Sequence, residues 1–319
     1  MKTALITGIT GQDGAYLSKY LLEKDYTIIG ITRNQSSLSR LKYLGMENKI
    51  TFQVCNLLDF SQISKLIKYY EPDEIYNLAA QSSVSQSFRQ PLETMNFNIL
   101  SVLNILEAIK NINNRIKFYQ ASSSEMYGLV RDLPITVQTP MHPVSPYGIS
   151  KASAHWITSN YRESYGIFAC CGILFNHESY LRDPNYFIKK VIRNAIQIKN
   201  NERDVLIVGN IDIKRDFGYS PFYVEAMWKM LQQNEPDNYI VCSGKSVLLR
   251  EIVYFVFNLL DIDKDKIVID KALFRPCEIP DIYGDNSMTK LMLDWHYEHD
   301  FFDILKILIR EELENIRPK

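Results

Sequence analysis

The chain has 319 residues, 46% of them hydrophobic and 23% charged, with 36 basic against 37 acidic side chains. With 13 glycines and 12 prolines it is neither fibrous nor disordered. A formal charge of −1 excludes bulk electrostatic binding to nucleic acid or to a membrane surface as its main work.

Short apolar runs alternate with amphipathic segments through the first half. Residues 3–7 read as a strand, 13–23 as a helix, and 27–32 and 50–54 as strands. Residues 60–70 read as a helix, 74–78 as a strand, 92–110 as a helix and 116–120 as a strand. Residues 147–164 then read as a helix and 168–174 as a strand. This alternation predicts an α/β fold, a doubly wound parallel sheet of the Rossmann type. Beyond Phe175 the pattern loosens. Helices are expected at 185–199, 223–231, 249–260 and 301–314, with short strands at 205–208 and 239–242. The expected division gives 1–175 plus about 220–243 to a dinucleotide-binding domain. Residues of about 176–219 and 244–319 form a smaller substrate-binding lobe, interleaved in sequence.

No apolar run is long enough to cross a bilayer. The first residues read as a strand entering a turn, not as a secretory signal. Cys55, Cys170, Cys171, Cys242 and Cys277 are odd in number and form no CxxC pair. Buried reduced thiols and a cytoplasmic location are therefore expected. His296 and His299 lack the neighbours that would complete a metal site, so no metal is expected.

Gly8, Gly11 and Gly14 stand three apart, after the first predicted strand and at the opening of the first predicted helix. Glycine lets the backbone approach a pyrophosphate, which then sits on the helix N-terminus. An acidic residue at the end of the second strand would favour NAD by accepting from the ribose 2′-hydroxyl. Here Thr32-Arg33-Asn34 and then Arg40 follow instead. Cations there attract a 2′-phosphate and point to NADP; the alternative is a pair of solvated surface arginines.

Tyr147 and Lys151 are four apart at the start of a predicted helix and so share a face. An ammonium near a phenol stabilises phenolate, and such a tyrosine can take an alcohol proton. Ser122-Ser123-Ser124-Glu125 follows a predicted strand at the edge where such sheets bind ligands.

With these residues in view the chain resembles the extended short-chain dehydrogenase/reductases, and within them the GDP-mannose 4,6-dehydratases. The matching stretches include TGITGQDG at 7–14, EIYNLAAQS at 74–82, FYQASSSEMYG at 118–128 and SPYGISK at 145–151. GILFNHES at 172–179, GNIDIKRDFG at 209–218, YVEAMWKMLQ at 223–232 and RPCEIPDIYGD at 275–285 continue the match in order. The resemblance implies that Ser123, Glu125, Tyr147 and Lys151 carry catalysis, Ser123 at the sugar O4 and Glu125 at C5 and C6. It implies cofactor contacts from Gly8, Gly11, Gln12, Asp13, Gly14, Arg33, Asn56, Leu57, Asn77, Leu78, Ala79, Ala80, Asn98, Tyr147, Lys151, Leu174, His177 and Arg182. Ser83, Ser123, Glu125, Asn176, Lys190, Gly209, Arg215, Arg275 and Glu278 are implied for the GDP-sugar. The implied activity converts GDP-mannose, or a close GDP-sugar, to its GDP-4-keto-6-deoxy derivative with NADP. A homodimer or homotetramer is implied as well.

Some positions depart from the family. Asn56 stands where an acid is usual, QSHV becomes Gln81-Ser82-Ser83-Val84, and ESPRRG becomes Glu178-Ser179-Tyr180-Leu181-Arg182-Asp183. These changes leave open a GDP-manno-heptose substrate, a GDP-sugar 4-dehydrogenase, reductase or epimerase, or a non-catalytic NADP-binding subunit. Other residues have plainer readings: Arg215-Asp216 as an internal salt bridge, His177 as a loop orienter, and Tyr119, Tyr127, Phe175 and Tyr186 as core packing.

Overall fold

Ala4, Leu5 and Ile6 of strand β1 (Thr3–Thr7) are all buried, so both faces of the strand are covered, as happens between two layers of helices. The computed structural model describes residues 1–33 and 38–316. It continues with α1 (Gln12–Leu22), β2 (Thr27–Thr32), α2 (Ser39–Tyr43), β3 (Thr51–Val54), α3 (Phe60–Tyr70), β4 (Glu74–Asn77), α4 (Val84–Arg89) and α5 (Pro91–Ile112). Next come β5 (Lys117–Ser123), α6 (Pro146–Tyr165), β6 (Ala169–Leu174), β7 (Asn176–Glu178), α7 (Phe187–Lys199), β8 (Leu206–Val208), β9 (Lys214–Tyr219) and α8 (Ser220–Leu231). The chain ends with β10 (Asn238–Val241), β11 (Ser246–Leu248), α9 (Leu249–Leu259), β12 (Ile267–Ile269), α10 (Ser287–Leu293) and α11 (Phe301–Ile316).

Seven parallel strands form the main sheet in the order β10-β6-β5-β4-β1-β2-β3. The doubly wound α/β fold read from the sequence is therefore present. Strand order reverses between β1 and β4, and a ligand crevice forms outside the carboxyl ends at such a switch point. A buried polar relay fixes that edge. The Thr7 hydroxyl donates to Asn77 Oδ1 (2.6 Å) and accepts from the Leu78 and Ala79 N–H groups. The Asn77 amide donates to Gln120 Oε1 (2.8 Å) on β5.

Helices α1 and α8 cover one face, through residues such as Leu17, Leu21, Val224 and Met227. Helices α3, α5 and α6 cover the other, through Ile63, Ile67, Val102, Ile105 and Ala154. A separate apolar core joins α7, β9, α9 and α11, with Ile192, Phe217, Val253 and Leu305 at its heart. The chain past α10 returns to α8: Trp295 is buried and donates to the Phe222 carbonyl (3.0 Å).

The sequence pattern misses the small sheet β11-β9-β7. Two of its strands are only three residues long, too short to show a period. The third, β9, opens on Lys214-Arg215-Asp216 and reads as polar, yet Arg215 and Asp216 are buried. Asp216 is satisfied by the N–H groups of Ser243 (2.8 Å) and Gly244 (3.1 Å). Cys55, Cys170, Cys171 and Cys242 are buried free thiols, and Cys277 is half-buried. Among the described residues no helix is long and apolar enough to cross a membrane.

Candidate active site

A cleft of about 1120 Å³ crosses the carboxyl edge of the sheet at the switch point. Single-ligand pockets run to about 300–1,000 Å³, so this one lies just above that range. At one end lies the β1–α1 turn. Gly8 has φ +68°, and a Cβ on it would sit 2.8 Å from the Ala79 nitrogen. A Cβ on Gly14 would sit 2.5 Å from the Gly8 carbonyl oxygen. Larger residues would push α1 off the strand. No side chain caps α1, and Gly11, Gln12 and Asp13 line the cleft. First-turn N–H groups are thus available to an anion, and these residues fit a dinucleotide pyrophosphate.

The same turn is braced by β7. Asp13 Oδ2 lies 2.9 Å from His177 Nε2, and Oδ1 accepts from Ser220 Oγ (2.8 Å). Burial works against ionising Asp13, but the charges of His177 and Arg182 and the hydrogen bonds outweigh it and hold the carboxyl below its usual range. His177 Nδ1 faces the Phe175 carbonyl (2.7 Å), so the ring orients this loop. Gln12 ties in Ser179, whose hydroxyl donates to Gln12 Oε1 (2.7 Å). Arg33, Leu57, Leu78, Ala79, Ala80, Leu174 and Arg182 line the cleft as well. Arg40 does something else: it donates to the carbonyls of Leu181 (2.6 Å) and Thr10 (3.1 Å), clipping the glycine turn to the 181–183 segment. Asn34 lies outside the described residues.

The middle wall comes from β5 and α6. Ser123 ends β5, and its Oγ accepts from the Glu125 N–H (3.3 Å) in a single 3₁₀ turn, Ser124–Met126. Ser145 caps α6 by accepting from the Gly148 N–H (3.0 Å), and Pro146 opens the helix. Tyr147 therefore leaves the first turn of α6 and Lys151 the second, both toward the end of β5. Ser123, Glu125, Tyr147 and Lys151 all line the one cleft. Burial pushes the Tyr147 phenol up, with the Ser123 hydrogen bond pulling against it. The expected lowering by Lys151 does not govern here, because its Nζ donates to the Ala121 carbonyl (2.7 Å). Burial brings Lys151 itself down to about 8, with Asp13 opposing.

That value has a kinetic consequence. The ammonium is lost as pH rises through about 8, so kcat/KM of the cofactor-loaded enzyme is expected to fall along a one-proton alkaline limb near there. Lys151→Arg moves the limb upward by several pH units, since arginine holds its proton to above about 12. A pH–rate profile with no limb, or one unmoved by the substitution, contradicts this.

Ser83, Asn176, Lys190, Gly209, Arg275 and Glu278 line the far end of the cleft. Arg275 Nη1 lies 3.6 Å from Glu125 Oε1. Four predicted residues are set back. Asn56 turns its Oδ1 to the Leu58 N–H (3.1 Å), and Leu57 and Leu58 take the wall. Asn98 accepts from the Gln81 N–H (2.8 Å) and donates to Ser150 Oγ (2.9 Å), so it braces the loop after β4 against α6 from behind. Arg215 donates to the carbonyls of Lys214 and Ile279, both at 2.7 Å, behind Glu278. Asn77 belongs to the buried relay.

A family model described as GDP-mannose 4,6 dehydratase matches residues 5–308. The chain belongs to the GDP-mannose 4,6 dehydratase family. GDP-mannose 4,6 dehydratase 1 of Arabidopsis thaliana is 43% identical, over 98% of this chain and 90% of its own length. The GDP-mannose 4,6-dehydratase of Vibrio cholerae is 37% identical, over 98% and 94%. The protein is thus an enzyme of a hydro-lyase family. The dTDP-glucose 4,6-dehydratase of Bacillus anthracis, solved with NAD, superposes with a TM-score of 0.86 at 23% identity, over 99% and 97% of the two chains. The UDP-glucose 4-epimerase of Thermotoga maritima gives 0.88 at 21%, over 99% and 100%. Those two likenesses speak to the fold alone.

The 178–183 stretch folds back on its own chain. Tyr180 packs on Tyr43 with ring centroids 4.6 Å apart, Leu181 is buried, and Lys189 donates to the Tyr180 carbonyl (2.7 Å). Arg182 lies 3.8 Å from the Tyr186 ring centre. Tyr186 corrects one expectation. Tyr119, Tyr127 and Phe175 are buried, but Tyr186 is only half-buried and lines the cleft. Its hydroxyl shares a hydrogen bond with Ser82 Oγ (2.6 Å), joining the loop after β4 to the start of α7. Nothing in local spacing signals a bond between residues 104 apart. Tyr186→Phe keeps the ring and loses the bond, and is expected to lower kcat/KM about 5-fold, the worth of about 1 kcal/mol. Ser82→Ala should match it and the double variant should add nothing. Wild-type steady-state kinetics in both single variants would show that the bridge has no part in turnover.

Proposed function

We propose that the protein binds NADP and GDP-mannose, or a closely related GDP-sugar, and converts the sugar to its GDP-4-keto-6-deoxy derivative. The reading is carried by one observation: Ser123, Glu125, Tyr147 and Lys151 share the wall of a cleft that opens at one end on the glycine turn. When bound, the nicotinamide supplies a hydride acceptor for C4 and later the donor for C6. Tyr147, beside Ser123 in the cleft wall, takes the O4 proton as phenolate while C4 becomes a ketone, a form that the Lys151 ammonium, 5.9 Å from its ring, and a bound cationic nicotinamide would favour against burial. That ketone acidifies the C5 hydrogen. Glu125 takes the C5 proton and delivers one to the departing C6 hydroxyl, so that water leaves; C5 regains a proton as C6 is reduced, which balances the O4 proton lost at the first step. Lys151, anchored on the Ala121 carbonyl, keeps a positive charge beside the reacting ring and orients the ribose.

Lys190 and Arg275 supply cations for the diphosphate, with Asn176, Gly209, Ser83 and Glu278 around the rest of the nucleotide. Arg215 acts from behind by holding Glu278. Arg33, exposed at the end of β2, is our choice for the 2′-phosphate, and so for NADP over NAD. In this reading residues 1–175 with about 220–243 hold the cofactor, and about 176–219 and 244–319 hold the GDP-sugar, with the chain after α10 packing back on the cofactor side. A cytoplasmic homodimer or homotetramer completes the proposal, and sedimentation velocity measures the assembly.

Incubation with GDP-mannose and, separately, GDP-manno-heptose, followed by mass spectrometry, tests the function. The expected product is lighter than its substrate by one water, with no net change in NADPH. Net NADPH turnover would favour a dehydrogenase or reductase, and absence of any product would refute the assignment.

A further inference from the structure

Glu125 and Arg275 face each other from opposite walls of the cleft. Glu125 sits on the 3₁₀ turn after β5, and Arg275 on the loop between β12 and α10. Nη1 and Oε1 are 3.6 Å apart, with the carboxylate side chain 13% exposed and the guanidinium 32% exposed. The Arg275 N–H is held by Glu278 Oε1 (3.2 Å), so its backbone is fixed while the side chain reaches across. A carboxylate held there faces the guanidinium and not a substrate proton. A diphosphate offers the same guanidinium more negative charge and a bidentate geometry.

We propose that Arg275 trades partners during binding: it pairs with Glu125 in the free site and turns to the diphosphate when the nucleotide arrives, releasing Glu125 for proton transfer. The inference rests on the GDP-sugar reading above and gives Arg275 a second role, as the positioning residue that holds the Glu125 carboxylate until the nucleotide binds. Glu125 takes one proton from C5, gives one to the leaving hydroxyl, and ends as it began, while the proton lost from O4 is balanced by the one that returns to C5. Arg275, Arg215 and Tyr147 each act on Glu125. Arg215 is buried and pinned by two carbonyls, and Tyr147 is fixed in α6. Arg275 is the one placed to move.

The test is calorimetry of GDP binding to the NADP-loaded enzyme near neutral pH. GDP carries the diphosphate and no reacting sugar. Glu125→Gln should bind GDP about 5-fold more tightly than wild type, because Arg275 then has no pair to give up. In an Arg275→Met background that difference should vanish. Equal GDP affinities in wild type and Glu125→Gln overturn the exchange alone. A difference that persists without Arg275 also overturns it. GDP that does not bind at all overturns the exchange and the GDP-sugar assignment together.

Discussion

Glu125→Gln is expected to cut formation of the dehydrated product by about 10³-fold or more, the upper range for a lost acid–base group, while NADP affinity stays unchanged. The glutamine keeps the size of the side chain and the hydrogen bond from the Glu125 N–H to Ser123 Oγ, so the turn should persist. It cannot take the C5 proton. Mass spectrometry of the product and fluorescence titration of the cofactor separate the two effects. Because oxidation at C4 precedes elimination in the proposed sequence, the variant should still reduce bound NADP in a single turnover. Retained steady turnover would remove Glu125 from the mechanism. Loss of cofactor binding instead would show that the substitution acts on the fold.

Tyr147→Phe should fall earlier in the same sequence. It removes the group proposed to take the O4 proton, and kcat is expected to drop by about 10³-fold. The phenol is buried, with Ser123 as its hydrogen-bond partner. Deleting the hydroxyl therefore removes a proton acceptor with little loss of packing. No reduced cofactor should accumulate in a single turnover, in contrast to Glu125→Gln. The two variants thus assign the two proton transfers to two residues by where the reaction stops. A Tyr147→Phe enzyme that still reduces its cofactor at the wild-type rate would transfer the first role elsewhere.

The parts of this site that the sequence makes legible are the local ones. Gly8, Gly11 and Gly14 stand at a strand-to-helix junction, where the backbone around Gly8 and Gly14 has no room for side chains. Tyr147 and Lys151 share a helix face by spacing alone. Ser123 and Glu125 follow a strand of the parallel sheet at its ligand-binding edge. What the sequence hides depends on long-range packing. The polar start of β9 turns Arg215 inward against two carbonyls, so a cation that reads as a phosphate ligand is set back from the cleft. Asn56 satisfies its own turn and yields the wall to Leu57 and Leu58. The Ser82–Tyr186 bridge and the Glu125–Arg275 pair each join separate elements, and no periodicity announces such a meeting. Lys151 shows the limit of reasoning from residue types. The spacing beside Tyr147 is as expected, yet the ammonium is turned to Ala121, and burial dominates both groups.

The central claim is that one wall of side chains carries a sugar through oxidation, loss of water and reduction without release. GDP-mannose deuterated at C4 tests it directly. The account predicts a product lighter by one water that carries the deuterium at C6, with no label left on the cofactor pool. Label lost to solvent, or accumulating on free reduced cofactor, would contradict it.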